Sequence, residues 1–356
     1  MQVELKNIRK AFGGLTVIDD VSLVIEEGRL FTLLGPSGRG KTTLLKIVAG
    51  FHAPDAGQVL FAGTSVNPVP PHKRETGMVF QTYALFPHLT VFDNVAYGLR
   101  ARRTPNDQIR KKVAEVLENV QLDGLEARFP SQLSGGRQQR VALARALVFS
   151  PRILLMDEPL SNLDARLRVS MREEIKRIQK RLGITTIYVT HDQEEAMAIS
   201  DRVAILNGGR LEQIGTPWEI YAAPRNRFVA QFMGSSNILE LDVTGYDAGR
   251  ARAQARAGDQ VFHLRSEKPL SGPILVALRP EWIDILPDGE EAPVNAFTGT
   301  VVSAMFVGPL VRYGVRCLGD RLLTIDAADP HKRGIKGEGE PIRLGFDAER
   351  PVVIEP

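Results

Sequence analysis

Short apolar runs alternate with amphipathic stretches over the first two-thirds of the chain. RLFTLLG (29–35), RILLMD (152–157) and TTIYVTH (185–191) are dominated by apolar and β-branched residues and are too short for buried helices. They read as strands covered on both faces. TTLLKIVAGF (42–51) reads as a helix closing at Gly50. The stretch from Ala165 to Leu182 sets Leu167, Met171, Ile175, Ile178 and Leu182 on one helical face and stops at Gly183. QVELKNIRKAF and LTVIDDVSLVIEEG pattern as a β-hairpin pair, and RVAILNGGRLEQIG as a hairpin turning at NGG. Apolar strands separated by helices imply an α/β fold around a parallel sheet.

After about Met233 the pattern changes. ILVALRP, GTVVSAMFVG, VRYGVRCLG and RLLTIDA are short β-like segments separated by Gly, Pro and Asp turns, with no long helical period. This predicts a small all-β domain, a barrel, over residues 236–356 after an α/β domain over 1–235, with the boundary in Val229–Gly234. Each motif occurs once, so the chain is not a repeat array.

Composition narrows the function. The 356 residues are 43% hydrophobic and 24% charged, ordinary values for globular domains. No run approaches the ~18 uninterrupted apolar residues of a membrane-spanning helix, and MQVELKNIRKAF has no signal-peptide core. The chain therefore reads as soluble and unexported. A net charge of +3 over this length does not argue for nucleic acid or an anionic membrane. The lone Cys317 excludes an intrachain disulfide and fits a reducing compartment, either as a reactive thiol or as a buried, inert one.

The first chemistry lies in GPSGRGKT (35–42), which fits G-x-x-x-x-G-K-[ST] between a strand and a helix. Glycines let backbone N–H groups turn inward around phosphate oxygens, and the helix N-terminus adds its dipole. Lys41 would reach the β- and γ-phosphates of ATP, and Thr42 would offer Mg²⁺ a hydroxyl. Asp157 and Glu158 end the apolar strand ILLMD, where open α/β sheets place ligands. Adjacent strand side chains point oppositely, so the two carboxylates should differ in role: Asp157 on the Mg²⁺ water shell, Glu158 polarising a water aimed at the γ-phosphate. A solvated Asp-Glu turn is the alternative. His191 ends TTIYVTH and could hydrogen-bond the γ-phosphate or the attacking water, although a lone histidine is more often a structural partner.

LSGGRQQR (133–140) holds no base, metal cluster or nucleophile. The Ser134 hydroxyl, the Gly135 and Gly136 amides and the following helix N-terminus form a second anion cradle, or simply a Gly-rich N-cap.

Together these motifs resemble those of ATP-binding cassette ATPases over roughly residues 3–235. GPSGRGKTT, Gln81 in VFQTYALFPHLTV, LSGGRQQR, ILLMDEP, SNLD and VTHDQEEA follow the family order of Walker A, Q-loop, signature, Walker B, D-loop and H-switch. The resemblance implies a P-loop NTPase with an antiparallel β subdomain and a helical subdomain at about 86–150. It implies that Phe12 stacks on adenine with Val17 nearby, and that Gly35, Pro36, Ser37, Gly38, Arg39, Gly40, Lys41, Thr42 and Thr43 wrap the phosphates. Thr42, Gln81 and Asp157 would serve Mg²⁺, and Glu158, His191 and Lys41 catalysis. Ser134, Gly135, Gly136 and Gln138 would act on the ATP of the opposite subunit in a homodimer, with Asp164 in the D-loop. YALFPHLTVFDNVAYGL would contact the membrane partner. Two departures stand out: Arg137 replaces the usual glutamine of the signature, and Asn162 the usual small D-loop residue.

The tail resembles the TOBE, OB-like regulatory domain of binding-protein-dependent import ATPases, through VALRPEWIDI and GTVVSAMFVGPLVRYGV. VPPHKRETGMVFQTYALFPH and the connector EQIGTPWEIYAAPRNRFVAQFMGSSN most resemble the spermidine/putrescine branch. Related branches serve ferric iron, thiamine, sugars, sulfate and aminophosphonates. The reading implied is an ATPase at the cytoplasmic face of the cell membrane, with two permease subunits and a solute-binding protein, and no nucleic acid. Two alternatives are a soluble cassette ATPase acting on nucleic acid or translation, and a ligand-binding tail attached to a degenerate ATPase.

Overall fold

The computed structural model describes residues 1–287 and 293–355. It divides into two compact units, Met1–Trp218 and Glu219–Pro356. Residues 288–292 and 356, within the expected C-terminal domain, lie outside the described residues.

In the first unit, β1 (Val3–Phe12), β2 (Leu15–Ile25), β4 (Ala56–Phe61) and β5 (Thr64–Ser65) form an antiparallel sheet of order β2-β1-β4-β5. The central sheet combines β3 (Leu30–Leu34), β6 (Thr76–Val79), β7 (Ile153–Asp157), β8 (Thr185–Thr190), β9 (Arg202–Asn207) and β10 (Arg210–Gly215) in the order β10-β9-β3-β8-β7-β6. The ladders β3/β8, β3/β9, β6/β7 and β7/β8 are parallel, and β9/β10 is the hairpin expected at NGG.

Every residue of β3, β7 and β8 is buried, and side-chain parity explains the continuous apolar runs. Ile153 and Leu155 join one core with Phe31, Leu33 and α1 (Lys41–Ala49). Leu154 and Met156 join the other core with α2 (Val91–Ala101), α3 (Asn106–Asn119), α4 (Gly135–Leu147) and α5 (Ala165–Leu182). A strand between two cores has no polar face to display. Asp164 caps α5 by accepting the Leu167 N–H, and Gly183 closes it in the left-handed region. Of its expected apolar face, Met171, Ile175 and Ile178 are buried, whereas Leu182, at the frayed end, is 43% exposed. A short α6 (Gln193–Ile199) follows β8.

The second unit holds two five-stranded antiparallel sheets among the described residues. One comprises β11 (Asn237–Asp247), β12 (Arg252–Ala257), β13 (Gln260–Arg265), β14 (Gly272–Leu278) and β20 (Val352–Ile354). The other comprises β15 (Asp284–Ile285), β16 (Asn295–Phe306), β17 (Leu310–Cys317), β18 (Arg321–Ala328) and β19 (Pro341–Phe346). Leu239, Phe262 and Leu264 from the first share a core with Phe297, Tyr313 and Phe346 from the second, so the expected barrel takes the form of two facing sheets. In β12 the alanines point inward and Arg252 and Arg256 outward.

The division at 218/219 lies ahead of the boundary expected at 235/236. The helix Arg227–Phe232 explains the shift, because Ala230 packs with Ala277 and Ile354 of the C-terminal unit. Arg279, 1% exposed, donates to the carbonyls of Tyr221, Ala230 and Ser235 and stacks 4.1 Å over the Tyr221 ring. The connector therefore belongs to the C-terminal fold.

Candidate nucleotide site

Parallel register brings the sequence motifs to one edge. Leu34 pairs with Thr190, Asp157 with Val189, and Val79 with Met156. The segments that leave these strand ends carry Gly35–Lys41, Gln81, Glu158 and His191 at neighbouring positions.

The loop after β3 depends on glycine at two close approaches. A side chain at Gly35 would collide with the Leu206 carbonyl. Gly40, at φ +94°, lies so close to β2 that a Cβ would sit 2.7 Å from the Val17 oxygen and 2.6 Å from Ile18 Cδ1. Val17 is thereby held against the base of the loop. Pro36 is half-buried, Ser37, Gly38 and Arg39 are exposed, and Thr43 is half-buried in the first turn of α1. Lys41 is buried, and its ammonium donates to the carbonyls of Gly35 and Pro36 at 2.8 and 2.9 Å. Burial lowers its pKa, opposed by the charges of Glu158 and Asp157.

Asp157 shares parity with Ile153 and Leu155 and so faces α1. There its carboxylate accepts the Thr42 hydroxyl at 2.7 Å. Burial raises the Asp157 carboxyl above its ordinary range, opposed by the Thr42 hydrogen bond. Hydroxyl and carboxylate side by side are hard oxygen donors of the kind Mg²⁺ takes, with its remaining positions filled by water and phosphate. Among the described residues no group of three His, Cys, Asp or Glu is placed to hold a metal.

Glu158 leaves the strand in the left-handed region, φ +43°, with its N–H on the Val189 carbonyl at 3.0 Å. A non-glycine residue there carries about 1–3 kcal/mol of strain, of the sort that gathers at functional sites. The turn points its carboxylate at His191, whose Nδ1 lies 3.1 Å from Oε2. An ionised carboxylate only accepts, so Nδ1 carries the proton and Nε2 is the acceptor in the neutral ring.

Phe12 is 44% exposed, flanked edge-on by His52 at 5.3 Å and by the Lys10 ammonium at 5.2 Å, so it offers a ring to solvent. Gln81 is exposed and its backbone carbonyl accepts the Asn162 amide at 2.8 Å.

The signature stretch is also exposed at Ser134. This residue occupies the N-cap of α4, yet its hydroxyl makes no capping bond to its own helix. Gly136 is buried so close to α5 that a Cβ would sit 3.0 Å from Leu167 Cδ1. The Gln138 amide donates to the carbonyls of Pro130 and Leu133 within its own chain. Arg137 is exposed.

Sequence reasoning missed the support under His191. Buried Glu195 accepts the Tyr188 and Thr190 hydroxyls at 3.0 and 2.8 Å, and burial raises its carboxyl. Asp192 accepts the Glu195 N–H and guanidinium groups of Arg168 and Arg172. The capping-box spacing Asp192-x-x-Glu195 was the available signal.

Comparison with known proteins agrees with this geometry. Residues 18–161 match the ABC transporter family and residues 276–354 the TOBE domain family. The spermidine/putrescine import ATP-binding protein PotA of Rubrobacter xylanophilus is 44% identical over 99% of this chain and 93% of its own length. The Fe(3+) ions import ATP-binding protein FbpC of Rhizobium etli is 46% identical over 97% of this chain and 95% of its own. Among solved structures, cbiO1 of Clostridium perfringens, part of the ABC transporter complex cbiONQ, superposes with TM-score 0.58 at 30% identity, covering 61% of this chain and 89% of that one. A dimeric bacterial ABC transporter cassette superposes with TM-score 0.54 at 32% identity, covering 60% and 98%. With relatives of this similarity spanning nearly its whole length, the chain belongs to the ATP-binding proteins of ABC transporters.

Proposed function

We propose that this chain powers a polyamine importer, hydrolysing ATP between two copies of itself against two permease subunits fed by a solute-binding protein. The chain is the ATP-binding, energy-coupling ATPase of an ABC importer. The observation that carries the catalytic reading is the convergence of Lys41, Thr42, Asp157, Glu158 and His191 on one sheet edge through the Thr42–Asp157 and Glu158–His191 bonds.

In this reading the loop 35–43 and Lys41 hold the triphosphate, Phe12 stacks on adenine and Val17 braces the loop. Mg²⁺, held by Thr42, Asp157 and Gln81, supplies charge neutralisation at the phosphates when bound. Glu158 accepts a proton from the attacking water, and the His191 Nδ1–H orients that carboxylate while its Nε2 is free to accept from the same water. Ser134, whose hydroxyl is not spent on its own helix, and the amides of Gly135 and Gly136 close over the partner's ATP, while Asp164 fixes the start of α5. This division makes the dimer part of the chemistry.

The permease reading is supported by a cleft of about 470 Å³ lined by Phe80, Phe86, Tyr97, Arg145 and Phe149, beside the Gln81 segment. No helix among the described residues is long and apolar enough to cross a membrane. A peripheral place on the cytoplasmic face follows from such a partner.

Polyamine rests on the resemblance of the connector and the Gln81 region and on full-length similarity to PotA proteins. Ferric iron is the second reading, favoured by FbpC relatives of equal identity. ATPase stimulation in the reconstituted transporter decides between them. Spermidine or putrescine with the binding protein should raise turnover, and stimulation by ferric iron alone would replace the first reading with the second.

A further inference from the structure

Asn162 is the residue at which this chain departs from the usual D-loop, and the structure gives it a partner 81 positions away. Its side-chain nitrogen donates to the backbone carbonyl of Gln81 at 2.8 Å. A carbonyl oxygen only accepts, so the contact requires a donor at position 162, and a side chain smaller than asparagine would lack its reach.

Both ends of this bond are held firmly. On the D-loop side, the Ser161 N–H and hydroxyl both donate to the Glu158 carbonyl, at 3.3 and 3.0 Å. Arg168 Nε donates to the Leu163 carbonyl, and Asp164 caps α5. Asn162 is therefore built onto the same turn that carries Glu158. On the other side, Tyr83 and Ala84 both lie in the left-handed region, at φ 60° and 49°, and their carbonyls accept the Arg145 guanidinium at 2.7 and 2.6 Å.

Arg145 stands on α4, the signature helix. That helix is tied to α5 by the Arg140–Glu174 ion pair at 2.6 Å and by the approach of Gly136 to Leu167, and to the segment before α5 by the approach of Gly135 to Leu163. The strained segment around Gln81 is thus gripped twice, by the signature helix through Arg145 and by the D-loop through Asn162.

We propose that Asn162 is a positioning residue that couples Gln81 to the catalytic turn, so that displacement of the Gln81 segment is transmitted to Glu158 and to the D-loop. This rests on the role assigned to Gln81 in the proposed function. The Asn162–Gln81 bond is what ties the Gln81 segment to the D-loop.

The test is a double-mutant cycle read by steady-state ATP hydrolysis of the full-length chain. Asn162 bonds to the backbone of Gln81, so Gln81→Ala removes the side chain and keeps the bond. Asn162→Ala should lower kcat about 2- to 10-fold, the worth of one neutral hydrogen bond, with KM for ATP unchanged. In the Gln81→Ala background the same substitution should lower kcat less than about 2-fold, because the residue it positions is gone. Asn162→Gln, which keeps a primary amide, should recover most of the turnover. Asn162→Asp, isosteric but without a donor, should reproduce the alanine loss and keeps the test intact if the alanine variant folds poorly.

A native kcat in both donor-less variants overturns the proposal, as does an equal loss in the two backgrounds. If Gln81→Ala alone leaves kcat unchanged, the role of Gln81 falls, and the coupling through it falls with it.

Discussion

The His191 imidazole Nδ1 lies 3.1 Å from the Glu158 carboxylate, beyond the ends of two adjacent parallel strands. The pair fixes which carboxylate faces the chemistry: Asp157 is turned toward Thr42, and Glu158 is left to the histidine. Glu158→Gln should therefore reduce kcat by about 10²–10⁴-fold, the usual contribution of a general base, while ATP affinity stays within a few-fold. Turnover and fluorescent-nucleotide binding measured on the same preparation check this. Undiminished hydrolysis would remove Glu158 from the mechanism.

Asp157 invites a prediction of opposite sign for stability and activity. Burial raises its carboxyl, so the folded chain binds that proton more readily than the unfolded one. Ionisation then weakens the folded state as pH rises from the ordinary carboxylate value through the raised one. Asp157→Asn keeps an acceptor for Thr42 and removes the buried charge. Its Tm at neutral pH, without nucleotide or Mg²⁺, should rise, by roughly 2–4 °C for each kcal/mol relieved. The gain should fade as pH falls and Asp157 takes up its proton, while hydrolysis is lost at every pH. A lower Tm at neutral pH would contradict the argument.

Ser134 separates capping from catalysis. An N-cap serine replaced by alanine ordinarily loses about 1 kcal/mol of stability. Here the hydroxyl makes no capping bond, so Ser134→Ala should leave the denaturation midpoint nearly unchanged while lowering ATP turnover. Ser134→Arg, which places bulk at the surface proposed to meet the partner's ATP, should abolish ATP-dependent dimerisation in size-exclusion chromatography. Arg137→Gln should keep most activity, since Arg137 is exposed at the edge of the same surface.

The parallel sheet and the strand-end chemistry were legible because both have local signatures: continuous apolar runs, a glycine-rich turn, acidic residues just past a strand. Contacts between distant segments have no such signature. The Asn162–Gln81 bond spans 81 residues, whereas Glu195, whose partners Tyr188 and Thr190 are close in sequence, did carry a local sign in its spacing from Asp192. In the C-terminal unit, β12 buries Ala253, Ala255 and Ala257 between exposed arginines, so its inward face carries little hydrophobic signal. Arg279 likewise gives no local sign of its place as the buried clasp on the connector.

That clasp gives the last prediction. Arg279 satisfies three carbonyls and stacks on Tyr221, whose hydroxyl donates to Glu281. Burial, reinforced by that bond, pushes the Tyr221 hydroxyl up to about 12, so it stays a donor at any physiological pH. Arg279→Met retains side-chain bulk but takes away the donor to the buried Ala230 carbonyl, at about 1–3 kcal/mol, and to the part-buried carbonyls of Tyr221 and Ser235. The C-terminal unit should lose several degrees of Tm, and limited proteolysis should cut between Tyr221 and Ser235, where the native chain resists. Because all three carbonyls belong to the C-terminal unit, ATP hydrolysis by the first unit should persist in the variant. Protection of the connector equal to that of the parent would show that the helix Arg227–Phe232 is held by its apolar contacts alone.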